Sequence, residues 1–149
     1  MGIADLDRAY RNTTYCVDHP AGSFGIRIDK PCARLDALLR EQGAATWAFV
    51  TACNPRSQPL SDDENAARHV QLLARVHDLG LKAYAGRGRA DCGDWVEESL
   101  LILGLDEAAA MALGAAFEQY AVVVGCLGGV VRLRWCHDQQ TATSSPSLP

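Results

Sequence analysis

Two short stretches hold side chains whose types and spacing can do chemistry. The first is Thr51-Ala52-Cys53-Asn54-Pro55-Arg56-Ser57, which follows a β-prone apolar run and precedes a helix that starts near Ser61. In open α/β sheets ligands gather beyond strand ends, close to helix N-termini. Asn54, Arg56 and Ser57 are placed there, and Arg56 together with the helix N-terminus can hold a carboxylate or phosphate. Asn65 and Arg68, with His69 one turn from Asn65, fall on the same helix near its apolar stripe. The second stretch is Asp94-Trp95-Val96-Glu97-Glu98-Ser99, where strand alternation puts Glu97 on one face with Trp95 and Ser99. A carboxylate beside tryptophan can have a raised pKa and act as general acid or base. Plainer readings stand beside both. Asn54 can make an Asx turn that Pro55 fixes, with Ser61 capping the helix. Glu97 can pair with Arg87 or Arg89, or be solvated.

Other candidates carry less. Gly86-Arg87-Gly88-Arg89 lacks the remaining elements of either phosphate-binding signature and reads as a loop with solvated arginines. His69 and His77 have no third metal ligand, and the cysteines lack the paired spacings of a structural zinc site. A nucleophilic role for Cys53 has no identifiable base nearby in sequence. Neither a metal nor a cofactor is expected.

The elements that must position these residues follow from bulk properties and patterning. A chain of 149 residues with 48% hydrophobic and 21% charged residues fits one globular domain with a core of its own. A net charge of -4 gives no general attraction to nucleic acid or anionic membrane. The longest apolar stretch, Ala108 to Val124, is interrupted by Gly114, Glu118 and Gln119, so it reads as a buried helix and strand rather than a membrane span. The opening residues lack the basic and apolar regions of a secretory signal. Six irregularly spaced cysteines then read as reduced thiols, several of them core fillers, in a cytoplasmic protein.

Alternation at Phe24, Ile26 and Ile28 predicts a first strand, and Leu35, Leu38 and Leu39 predict a helix over 31–42. Thr46 to Ala52 predicts a strand buried on both faces, hence central in its sheet. Ser61 with Glu64 forms a capping box, and Val70, Leu73, Val76 and Leu79 supply the stripe of the helix ending at Gly80. Strands over 81–85 and 95–103, a helix over 107–118, and a hairpin of 120–124 with 130–135 complete the order β-α-β-α-β-β-α-β-β. This predicts an α+β (or α/β) fold: one layered domain over 1–136, a mixed sheet packed with about three helices, and a disordered tail over 137–149.

Several of these residues resemble a bacterial family known as domain of unknown function 3293. They are Tyr10 and Thr14-Tyr15, then Ala48 through Ser57, then Leu60-Ser61 with Glu64-Asn65 and Arg68. Trp95 with Glu97 and Ser99 follows, and then Phe117-Glu118-Gln119-Tyr120-Ala121. The resemblance spans about residues 8 to 124. Cys53 departs from the family's usual aromatic residue, and Tyr120 from its usual asparagine, so a ligand site lined there would differ in shape. The resemblance implies a fold and leaves activity open, since the family has no established one.

Three functional expectations follow. The first is a domain binding a small anionic metabolite, a nucleotide or a partner through Asn54, Arg56, Ser57, Asn65 and Arg68, with Glu97 and Gln119 shaping the pocket. The second is a hydrolase- or transferase-type enzyme on an anionic substrate with Glu97 as acid or base. The third is a structural role in a homo-oligomer through exposed sheet edges.

Overall fold

The computed structural model describes residues 2–136; the expected tail over 137–149 lies outside them. Four helices and seven strands follow in the order α1 (Ile3–Arg11), β1 (Thr13–Val17), β2 (Phe24–Ile26), α2 (Ala33–Gln42), β3 (Thr46–Thr51), α3 (Asp62–Asp78), β4 (Ala83–Ala90), β5 (Val96–Leu103), α4 (Glu107–Ala116), β6 (Ala121–Cys126) and β7 (Arg132–Trp135). The strands form one sheet in the order β2-β1-β4-β5-β3-β6-β7. Every neighbouring pair is antiparallel. The fold is therefore α+β, and the sheet is wholly antiparallel rather than mixed.

The apolar runs in β3, β5 and β6 reflect burial on both faces. Trp47 and Phe49 of β3, Leu101 and Leu103 of β5 and Val123 of β6 join one core with Leu35, Leu38 and Leu39 of α2. Ala48, Val50, Leu100, Ile102, Val122 and Val124 join a second core with Leu72 and Val76 of α3 and Ala110 and Leu113 of α4. Each leucine buried this way contributes about 1.5–3 kcal/mol relative to exposure. Helices thus cover both faces, α2 and α1 on one and α3 and α4 on the other. β3 lies inside the sheet as expected, between β5 and β6, although β5 is the middle strand.

Three further expectations are corrected. Residues 3–17 form α1 and β1, neither of which the patterning announced. α1 buries Leu6 alone among its residues and is held by exposed Asp5–Arg8 and Asp7–Arg11 pairs, so its apolar stripe is only one residue deep. The α3 stripe is shifted: Val70, Leu73 and Leu79 are exposed, while Leu72 and Val76 are buried. The helix therefore turns Asn65, Leu72 and Val76 inward at spacings of 7 and 4 residues. Finally, Gly86 to Arg89 lie within β4 and not in a loop. A Cβ on Gly86 would sit 2.4 Å from the Cys16 carbonyl oxygen of β1, so glycine here permits close approach of two backbones.

The capping box is present as read: Glu64 N–H donates to Ser61 Oγ, and Ser61 N–H to Glu64 Oε1, both at 3.1 Å. All six cysteines are free thiols, with Cys53 buried, Cys92 and Cys126 exposed, and the others between. No helix among the described residues is long and apolar enough to cross a membrane.

Candidate functional site

Side chains alternate along each strand, so one face of the sheet carries Thr13 and Tyr15 of β1, Gly88 of β4, Glu97 and Ser99 of β5, Phe49 and Thr51 of β3, and Ala121 of β6. α2 covers the part of this face near Trp47 and Leu103. α1 covers the other part through Leu6 and Tyr10, and a cavity of about 590 Å³ remains beneath it. That volume lies within the usual range for small-molecule sites. The walls are largely apolar and aromatic, with Tyr10, Tyr15, Phe49 and Trp95 prominent.

α1 is fastened over the cavity at several points. Tyr15 Oη donates to the Tyr10 carbonyl at 2.8 Å, and the Tyr10 ring packs edge-on against Trp135. An ion pair joins Arg11 to Asp29, and the Arg27 guanidinium donates to the Arg11 carbonyl at 3.2 Å. Arg27 also pairs with Asp91 at the cavity rim at 2.9 Å.

Glu97 is the charged group inside. Burial pushes its carboxyl above the ordinary range, and hydrogen bonding from Asn54 and the nearby Trp95 counteracts this in part. Asn54 Nδ2 donates to Glu97 Oε2 at 2.9 Å. Neither Arg87 nor Arg89 pairs with Glu97; Arg87 reaches Asp18 at 3.3 Å. Glu97 is thus a partly buried carboxyl joined to a neutral amide, which differs from the arginine-paired alternative.

Asn54 is fixed from behind by α3. Its own N–H donates to Asn65 Oδ1 at 2.8 Å, and its Oδ1 accepts from Asn65 Nδ2 at 2.8 Å and from the Leu60 N–H at 3.0 Å. This leaves its Nδ2 for Glu97 and sets the side chain's orientation. Asn54 has a positive φ of 47°, and so do Arg56, Ser57 and Glu118, at 52°, 58° and 60°. Non-glycine residues in this region carry strain of order 1–3 kcal/mol and persist where surroundings hold them. Here the two strained segments hold each other, with the Arg56 N–H donating to the Glu118 carbonyl at 2.8 Å.

The expected residues separate into two groups. Asn54, Ser57, Glu97 and Gln119 line the cavity. Asn65, Arg56 and Arg68 do not, and each has another task. Asn65 positions Asn54. Arg56 pairs with Glu118 at 3.3 Å on the surface. Arg68 donates to the carbonyls of Ala52 at 2.6 Å and Phe117 at 2.5 Å, clamping the end of β3 to the end of α4. His69, beside them, has a buried Nδ1 without a partner among the described residues. Gln119 is buried and its Nε2 donates to the Cys53 carbonyl at 2.9 Å and the Phe117 carbonyl at 3.3 Å. Those two acceptors fix which end of the amide is nitrogen, so its oxygen remains as an acceptor. Cys53 is buried with its thiol pushed up by desolvation and its Sγ 3.6 Å from the Glu98 carbonyl, an environment that disfavours a thiolate nucleophile.

Sequence reasoning missed Tyr10 and Tyr15 as walls of the site. The signals were present, in the i,i+4 spacing of Leu6 and Tyr10 and the alternation of Thr13, Tyr15 and Val17.

Fold and site together define an antiparallel α+β domain with an aromatic-walled cavity around one partly buried carboxyl. Residues 50–122 match the model of the family described as "Protein of unknown function (DUF3293)". The segment includes Asn54, Asn65, Glu97 and Gln119, whereas α1 and β1 lie before it. No curated protein matches the chain, and no solved structure does.

Proposed function

We propose that the protein is a small-ligand-binding domain whose site is the cavity between α1 and the sheet. The observation that supports this most is the convergence of Asn54, Glu97 and Gln119, from three separate segments, on one concave space. A few polar groups set into apolar walls is the usual composition of a small-molecule site. Strained backbone at Asn54 and Ser57, on the rim of the same space, agrees with it.

The reduced cysteines and the family match favour a place in the bacterial cytoplasm. A second reading, an enzyme of hydrolase or transferase type with Glu97 as acid or base, is favoured by the upward shift of the Glu97 carboxyl alone.

The test is a thermal-shift screen of neutral, cationic and anionic small molecules against the wild type and Gly88→Val. A Cβ at Gly88 meets nothing nearer than 3.7 Å, so valine fills the cavity floor without displacing backbone and suits a strand. Ligands are expected to raise the melting temperature of the wild type and not of Gly88→Val. Equal shifts in both proteins, or none in the wild type with any class, would refute the reading.

A further inference from the structure

We infer that the cavity is built for a nitrogenous cation, an amine or amidine presenting several N–H donors on an apolar or aromatic body. This rests on the cavity being a ligand site and concerns which chemistry it accepts. The first ground is the distribution of hydrogen-bond donors. Four of the lining hydroxyls are already committed: Thr13 Oγ1 donates to the Ala9 carbonyl, Tyr15 Oη to that of Tyr10, Thr51 Oγ1 to that of Glu98 and Ser99 Oγ to that of Glu97, at 2.7 to 3.0 Å. The amide nitrogens of Asn54 and Gln119 are committed as well, to Glu97 and Cys53. Among the groups left over are two acceptors, the second oxygen of Glu97 and the amide oxygen of Gln119, beside the Tyr10 and Ser57 hydroxyls, which can accept as well as donate. A ligand that brings N–H donors can satisfy all of them.

The second ground is charge. The acidic residues of the lining are Asp91 and Glu97, and the lining contains neither lysine nor arginine. Arg27 neutralises Asp91 at the rim. Glu97 receives hydrogen bonding only from neutral groups, Asn54 and the nearby Trp95, so its carboxyl has no cationic partner among the described residues. An incoming cation supplies one, while an anion would meet a carboxylate. The third ground is the wall itself. Tyr10, Tyr15, Phe49 and the exposed Trp95 line it, and aromatic rings attract cations. The features able to hold an anion are engaged elsewhere: Arg56 and Arg68 with Glu118, and the N-terminus of α3 with Ser61 and Glu64.

Benzamidine, benzamide and benzoate share one shape and differ in charge, so they test the inference directly, by calorimetric or NMR titration. The wild type is expected to bind benzamidine at least about tenfold more tightly than the other two. Gly88→Val is expected to lose that binding, and Glu97→Gln to bring benzamidine down to the level of benzamide. A measurement on the wild type alone guards against a variant that misfolds. Around Glu97 the titratable groups are Tyr10 of α1, Tyr15 of β1, Cys53 after β3, and Asp91 and Cys92 at the β4–β5 turn. Burial pushes both tyrosines up, and Arg27 holds Asp91 down. Benzamidine affinity should therefore rise as pH increases through the Glu97 ionisation, and benzamide affinity should not. Benzamide or benzoate binding as well as benzamidine, in a manner blocked by Gly88→Val, would overturn the charge assignment and leave the cavity as a ligand site. Binding of none of the three overturns it too, and the broader screen then decides whether the ligand-site reading also falls.

Discussion

Replacing Asn65 with alanine should destabilise the domain by about 2.5–4.5 kcal/mol, although the residue lies outside the cavity. Its side chain accepts from the Asn54 N–H and donates to Asn54 Oδ1, both at 2.8 Å. Each bond contributes roughly 1 kcal/mol net, and stranding a buried N–H adds about 1–3 kcal/mol. Asn54 is only 7% exposed, so water cannot readily replace the lost acceptor. Alanine's better helix propensity opposes the loss by several tenths of a kcal/mol, which yields the net figure. Urea unfolding followed by circular dichroism gives the difference as a lowered midpoint at unchanged slope. In the folded variant, Asn54 should also lose its fixed orientation, shifting its side-chain amide signals and weakening ligand binding. A loss below about 0.5 kcal/mol, within the range of ordinary surface substitutions, would show that Asn65 does not hold Asn54 and would refute the positioning role.

Glu97→Gln should raise stability at neutral pH. The folded-state carboxyl is shifted up by burial, so between the ordinary carboxylate range and the folded value the folded state binds more protons than the unfolded one. The wild type then loses stability as pH rises through that window, and the loss stays constant above it. Glutamine keeps an acceptor for Asn54 without the charge, so urea midpoints of the two proteins should converge in acid and separate toward neutrality; a wild type that gains relative stability over that window would contradict the assignment. Gly86→Ala should cost about 3 kcal/mol through its clash with the Cys16 carbonyl, and Gly88→Ala under about 1 kcal/mol; parallel thermal melts that give equal losses would refute the packing of β4 under β1. Ser61→Ala should cost about 1 kcal/mol through loss of the α3 cap, read from its urea midpoint.

Much of this fold could be read from the sequence wherever local chemistry and burial agree. The capping box at Ser61 and the two-sided burial of β3 are examples, because each depends on a few residues close in sequence. The errors arose where long-range packing decides. Leu72 joins Val76 on the inner face in place of Val70 and Leu73 because that face of α3 also carries Asn65 to its hydrogen bonds with Asn54, 11 residues away. Gly86 and Gly88 look like loop residues until β1 is laid against β4, and β1 itself is a short, half-polar strand. The placement of Glu97 with Trp95 and Ser99 followed from alternation and holds. The roles of Arg56 and Arg68 could not be read, since their partner Glu118 lies in a segment brought to them only by the tertiary fold.

The most direct test of the cavity as the binding site is an amide NMR titration of the wild type with a ligand that stabilises it. Asn54 and Gln119 carry side-chain NH2 groups and Trp95 an indole N–H, so the walls report without added labels beyond nitrogen-15. The largest shifts are predicted at these three side chains and at the backbone of Tyr10, Glu97 and Ser99. Shifts centred on Arg56, Arg68 and the start of α3, with Asn54, Gln119 and Trp95 unmoved, would contradict the account.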